Sequence, residues 1–262
     1  MPPSRSMAPR ITALVIAANV LLVLWMYATE VSPSELPALT LSYAGLLVYY
    51  AAGRACLRRR GGPNELHARS WLLGLAASLV MSGPSLRVFF HLLRAPAARF
   101  LEAVTSNDVF PEGRPLLLFF SAEMVLDMVV GALDYPAQLH PVTGLGHHTL
   151  FLFYGCLTLR ARACGYFMGG LALEVPTLVL TLGAVHEPWK NDALLGATFF
   201  SFRVLHTAWY VWRLARVGLH VNAGMLALSL CVNAHWLYTW ASTAARVEKL
   251  VGEGGAPQLK QT

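Results

Sequence analysis

Several residues in this chain have the type and spacing to do chemistry. Glu123 and Asp127 stand four apart and so share one face of a helix, with Asp134 two turns further on. His147 and His148 are adjacent, and Glu174 lies in Leu173-Glu174-Val175-Pro176-Thr177. There Pro176 cannot donate to the carbonyl of Ala172, which leaves a kink and an unbonded acceptor beside a carboxyl group. Arg203 and His206 share a later face, and Asn233, His235 and Trp236 fall close together near the end. Together in one chain they point to a buried polar cavity. A histidine titrates near working pH and can take a proton from an incoming group or act as a nucleophile itself. Asp127 or Glu174 could fix the imidazole tautomer, and Arg203 could neutralise a phosphate or a carbonyl oxyanion. Neighbours on a helix point about 100° apart. One of His147 and His148 is therefore expected to be catalytic and the other orienting, with either able to fill either role.

The elements that position these groups are apolar helices. Of 262 residues 56% are hydrophobic and 13% charged, against about 25% charged in a soluble domain, and mean hydropathy is +0.51. The apolar residues fall in blocks of about 18–23, the length that crosses a bilayer. Expected spans are Ile11–Ala28, Leu36–Gly53, Trp71–Leu93, Pro115–Leu133, a short Thr143–Leu159, Cys164–Val185, Ala193–Val211 and Val221–Ser242. The chain thus reads as an all-α polytopic membrane protein of seven to eight transmembrane helices. Basic Arg5 and Arg10 precede the first span, acidic Glu30 and Glu35 follow it, and Arg54, Arg58, Arg59, Arg60 and Arg69 follow the second. That asymmetry places the N-terminus in the cytosol, although eight spans would put Arg160, Arg162, Arg213 and Arg216 on the far side.

Net charge is +6, and all but three of the 20 basic residues are arginine. They sit in short loops between apolar blocks, where they orient helices rather than bind nucleic acid. The four cysteines form no C-x-x-C pair, so neither a metal site nor a disulfide framework is expected. Polar residues inside spans also have ordinary readings. Asp127 or Glu174 could pair with Arg203 or Arg87, and His91, His206 and His235 could be hydrogen-bonded helix contacts. Trp25, Tyr27, Tyr49, Tyr50 and Trp71 read as an aromatic belt. Arg58-Arg59-Arg60 reads as a topology determinant, with anionic lipid or coenzyme A phosphates as the alternative.

Asp127, the His147-His148 pair opening the next span, and Glu174-Val175-Pro176-Thr177 follow one another in an order that resembles the TLC domain, the translocating-chain, longevity-assurance and ceroid-lipofuscinosis homology family. Phe202-Arg203 and Asn233 followed by Trp236 resemble the late motifs of the same family. The resemblance divides the chain into two leading helices and a basic loop (1–69), a TLC-like domain of six helices arranged as a barrel (70–246) and a polar tail (247–262). It implies a lipid-metabolic protein of the endoplasmic reticulum that works on membrane lipids, with acyl-CoA as cosubstrate and no bound cofactor. His147, His148, Asp127 and Glu174 would be catalytic, and Arg203, His206, Asn233, Trp236 and Asp134 would contact substrate. The ceramide synthases of that family carry a second His-Asp after the histidine pair, and this chain has no His-Asp anywhere. The alternative implied by the same family is a non-enzymatic lipid-binding or lipid-homeostasis protein.

Overall fold

The computed structural model describes residues 7–139 and 141–252, and every element among them is helical. Two compact units divide the chain, the first ending at Asn191 and the second beginning at Asp192. In the first unit α1 spans Met7–Glu30 and α2 Leu36–Arg60, followed by the short α3 (Glu65–Ser70) and then α4 (Leu72–Arg94). A surface helix α5 (Ala97–Thr105) precedes α6 (Gly113–Asp134) and α7 (His147–Arg160). The last pass is broken into α8 (Cys164–Gly170), a 3-10 turn at Leu171–Leu173 and α9 (Glu174–Val185).

Helix α6 is the axis of this unit, packing against α1, α2, α4, α7 and α8. Its faces are filled by Leu117, Phe120, Ala122 and Met128, none more than 2% exposed. Side-chain pairs fix the direction of each neighbour. At the start of α6, Arg114 binds the Glu35 carboxylate at 2.5 Å and the Glu30 carbonyl, which places the end of α1 and the start of α2 there. At the other end Asp134 receives Arg54 of α2 at 2.6 Å, Arg69 of α3 at 3.0 Å and the Tyr50 hydroxyl at 2.5 Å. Helix α2 therefore runs parallel to α6. Arg87 meets Glu112 while Arg69 meets Asp134, so α4 runs antiparallel. Asn19 donates to Thr149 at 2.8 Å and Cys156 to the Met26 sulfur at 3.2 Å, so α7 follows α1 in parallel.

Among the described residues five helices are long and apolar enough to cross a membrane: Ile11–Glu30, Leu36–Arg60, Leu72–Arg94, Gly113–Asp134 and Cys164–Val185. The protein is an integral membrane protein. The expected fifth span is shorter than that, because Pro141–Gly146 forms a π-helical turn and only 14 residues remain for α7, about 21 Å of helix. The expected seventh span is interrupted. In the second unit α10 (Asp192–Thr198) passes through a π-helical stretch, Phe199–His206, into α11 (Thr207–Arg216). Helix α12 (His220–Gly252) contains the expected eighth and packs on α11 and on that stretch.

Among the glycines described in the first unit, Gly165 makes the closest approach, where α8 meets α5. A Cβ built on Gly165 would lie 1.8 Å from the Ala103 carbonyl oxygen, backbone that cannot swing aside. Gly45 in α2 has nothing within 4 Å. Gly165→Ala is therefore expected to cost more than the roughly 1–3 kcal/mol of ordinary overpacking and to abolish monodisperse protein in detergent chromatography, while Gly45→Ala behaves as wild type.

Glu35 lies between the first two spans, and its Arg114 partner holds its carboxyl down at about 2, with Ser32 donating to it as well. A carboxyl lowered by folding stabilises the folded state above its ordinary range and loses that effect as pH falls through the folded value. Glu35→Gln should melt below wild type at pH 7, and the gap should close as pH is taken from about 4 towards 2.

Candidate carboxylate–histidine site

The middle of α6 carries two acidic side chains through the protein interior. Glu123 is 3% exposed, and its Oε2 meets no hydrogen-bond donor. One turn later Asp127 presents its two oxygens to different partners. Oδ1 accepts the Tyr135 hydroxyl at 2.6 Å, and Oδ2 faces His148 Nε2 at 3.6 Å. That separation is longer than a hydrogen bond. Tyr135 reaches back because α6 stops beside Pro136, whose ring disfavours helix in the residue before it. The phenol then folds along the helix two turns to Asp127. Burial, with the charge of Asp127 next, pushes the Tyr135 phenol up, so it stays a donor.

The histidine pair is placed by the π-helical turn ahead of α7. Its two rings are 5.7 Å apart and face different neighbours: His147 lies against Phe151 at 4.5 Å, while His148 turns to Asp127. His148 is 8% exposed, and its Nδ1 is buried without a hydrogen-bond partner. Glu174 is brought in by the break in the last pass. Gly169 and Gly170 end α8, the 3-10 turn re-aims the chain, and α9 begins at Glu174 with Pro176 in its first turn, where a missing N–H costs nothing. Both Asp127 and Glu174 lie within electrostatic reach of Glu123.

The arrangement sets a carboxylate oxygen 3.6 Å from one imidazole nitrogen and leaves the other nitrogen without a partner, which brings together the His and Asp of a Ser-His-Asp triad without the hydrogen bond that joins them there. Metal-ligand geometry is absent: no group of three or more His, Cys, Asp or Glu among the described residues could hold a metal ion.

Asp134 is placed differently from Asp127. It is the hub of the ion pairs with Arg54 and Arg69 at the end of α6, tied to Tyr50. The late residues form a cluster of their own in the second unit. Arg203 donates to Asn233 at 3.4 Å and lies 5.4 Å over Phe199, and buried His206 stacks on Tyr210 at 5.8 Å. Trp236 is half-buried, three residues past Asn233 on α12. Tyr135 was not expected from sequence. The signal that could have found it is the Tyr-Pro step eight residues after Asp127, which ends the helix and frees the ring to return.

A scan of family models, a search of curated proteins and a search of solved structures each returned no match. Fold and site together define a multi-pass helical membrane protein with a buried carboxylate–histidine centre.

Tyr135→Phe removes one donor from the partly buried Asp127 carboxylate, together with a long contact to the Asp127 carbonyl. It should lower stability in detergent denaturation by about 1.5–3 kcal/mol, the range for a hydrogen bond to a charged group, while circular dichroism keeps the wild-type helical signal.

Proposed function

We propose that this protein is a membrane-embedded lipid acyltransferase of the TLC type, in which His148 acts on a fatty acyl thioester such as acyl-CoA and passes the chain to a lipid amine or hydroxyl. The observation that carries the reading is the pairing of His148 Nε2 with Asp127 while Nδ1 stays buried and without a partner. An imidazole with its proton on Nε2, on the side of the carboxylate, would leave Nδ1 with its lone pair, the state required of a general base or of a nucleophile that becomes an acyl-imidazole. His147 packs on Phe151 and serves as the orienting member of the pair. Glu174 contributes negative charge close to Glu123, and Asp134 holds the end of the helix that presents Asp127. The order Asp127, His147-His148, Glu174-Val175-Pro176 supports membership of the TLC family. With it go a six-helix barrel, seven or eight spans in all, contact of Arg203, His206, Asn233 and Trp236 with substrate, and residence in the endoplasmic reticulum.

A second reading is a lipid-binding protein without turnover. It is favoured by a groove of about 200 Å³ between α1, α2 and α6, lined by Val23, Leu24, Leu39 and Val125 and closed by Tyr27 and Tyr43, whose hydroxyls are 3.3 Å apart. Such a groove fits a lipid chain and contains no group for acyl transfer.

The deciding experiment is acyl transfer by reconstituted protein from labelled acyl-CoA to a panel of long-chain amines and lysophospholipids. His148→Ala should lose about 10²–10⁴-fold in rate, the contribution of a general base, at unchanged thermal stability. His147→Ala should lose less. A wild-type protein that forms no product while retaining bound lipid would replace the enzyme reading with the second one.

A further inference from the structure

Arg54, Arg69, Arg87 and Arg114 are each engaged by a carboxylate. Arg58, Arg59 and Arg60, which make the last turn of α2, are all exposed and meet no acidic side chain among the described residues. Past them the helix stops at Gly61 and Gly62, where φ is +64° and +128° and where a Cβ would find open space. Three uncompensated positive charges therefore ring the end of a membrane-spanning helix. Guanidinium groups at that depth extend along the helix axis to headgroup level.

We propose that Arg58, Arg59 and Arg60 form a docking surface for the phosphates of anionic lipid headgroups in the leaflet where α2 ends. Charge complementarity and position both favour this occupant. A basic cluster immediately beyond a transmembrane helix attracts anionic lipid, and the planar guanidinium fork matches phosphate oxygens two at a time, which an ammonium does not. Successive side chains leave the helix about 100° apart, so the three arginines hold separate phosphates from neighbouring lipids rather than one polyphosphate. Arg58 stands one turn beyond Arg54 on the same face, and Arg54 is bound to Asp134 at 2.6 Å with 35% of its side chain exposed. A phosphate on Arg58 therefore sits beside the ion-pair cluster that ends α6. The surface is independent of any chemistry at His148.

The test is native mass spectrometry of the full chain released from bilayers of phosphatidylcholine with phosphatidic acid, counting each lipid retained. Wild type should keep phosphatidic acid over phosphatidylcholine by about fivefold per arginine. The preference should fall to near parity in Arg58→Gln/Arg59→Gln/Arg60→Gln and, on wild type, at about 1 M salt, where the screening length is about 3 Å. Since these charges also orient the helix, Arg58→Lys/Arg59→Lys/Arg60→Lys provides a variant that keeps topology; it should retain a salt-sensitive preference reduced severalfold. An unchanged preference in the glutamine variant, or in wild type at high salt, would overturn the proposal. So would removal of the bound lipid from wild type by millimolar inorganic phosphate, which would assign the surface to a soluble anion.

Discussion

A helix that carries ionisable groups through a membrane must satisfy them from its neighbours, and α6 is organised by that constraint. Arg114 opens it, Glu123 and Asp127 occupy its middle, and Asp134 closes it. No water is at hand in hydrocarbon, and an unpartnered charge at mid-membrane costs about 2.5–3.5 kcal/mol on insertion scales. The partners come from α1, α2, α3 and α7 and from the turn between the first two. Glu35 and the Glu30 carbonyl flank the turn between α1 and α2, Arg54 and Tyr50 belong to α2, Arg69 to α3 and His148 to α7. The polar contacts of α6 are thus also the contacts that set direction and register for the helices around it.

The two ends of α6 differ in kind from its middle. At Asp134 two guanidiniums and a phenol surround one carboxylate, and Glu65 holds Arg69 from its other side, so two positive charges face two negative ones, while the Nε atoms of Arg54 and Arg69 stay buried without acceptors. In the middle, Glu123 Oε2 and His148 Nδ1 are likewise buried without partners. The surroundings separate the two aspartates of this helix: Asp134 faces guanidiniums, and Asp127 a phenol and an imidazole.

Much of this was legible in the sequence, and the parts that were not have identifiable causes. Apolar length alone located α1, α2, α4, α6 and the α8–α9 pass, because a span must supply about 20 apolar residues whatever surrounds it. The break at Glu174 was visible because Pro176 removes a donor at a known position. Which of His147 and His148 faces Asp127 was not visible. It depends on the rotation imposed by the π-helical turn at Pro141–Gly146, and local residue preferences do not encode that rotation. The role of Asp134 was hidden for a related reason. Its partners Tyr50, Arg54 and Arg69 lie 65 to 84 residues earlier, and only the parallel course of α2 along α6 brings them together.

That parallel course also connects the ion-pair cluster to the site. The Tyr50 ring lies 6.5 Å from the Tyr135 ring while its hydroxyl is held by Asp134. Tyr135 in turn holds Asp127 Oδ1, which leaves Oδ2 as the oxygen that faces His148. Were Tyr135 to withdraw, both carboxylate oxygens would compete for the imidazole, and nothing would select the rotation at which Oδ2 alone faces it. A line of contacts thus runs from the ion-pair cluster at Asp134 to the carboxylate that faces the buried histidine, through one aromatic pair. The arginines that secure α2 at that cluster act on the same side chains that position the site, without any of them reaching it.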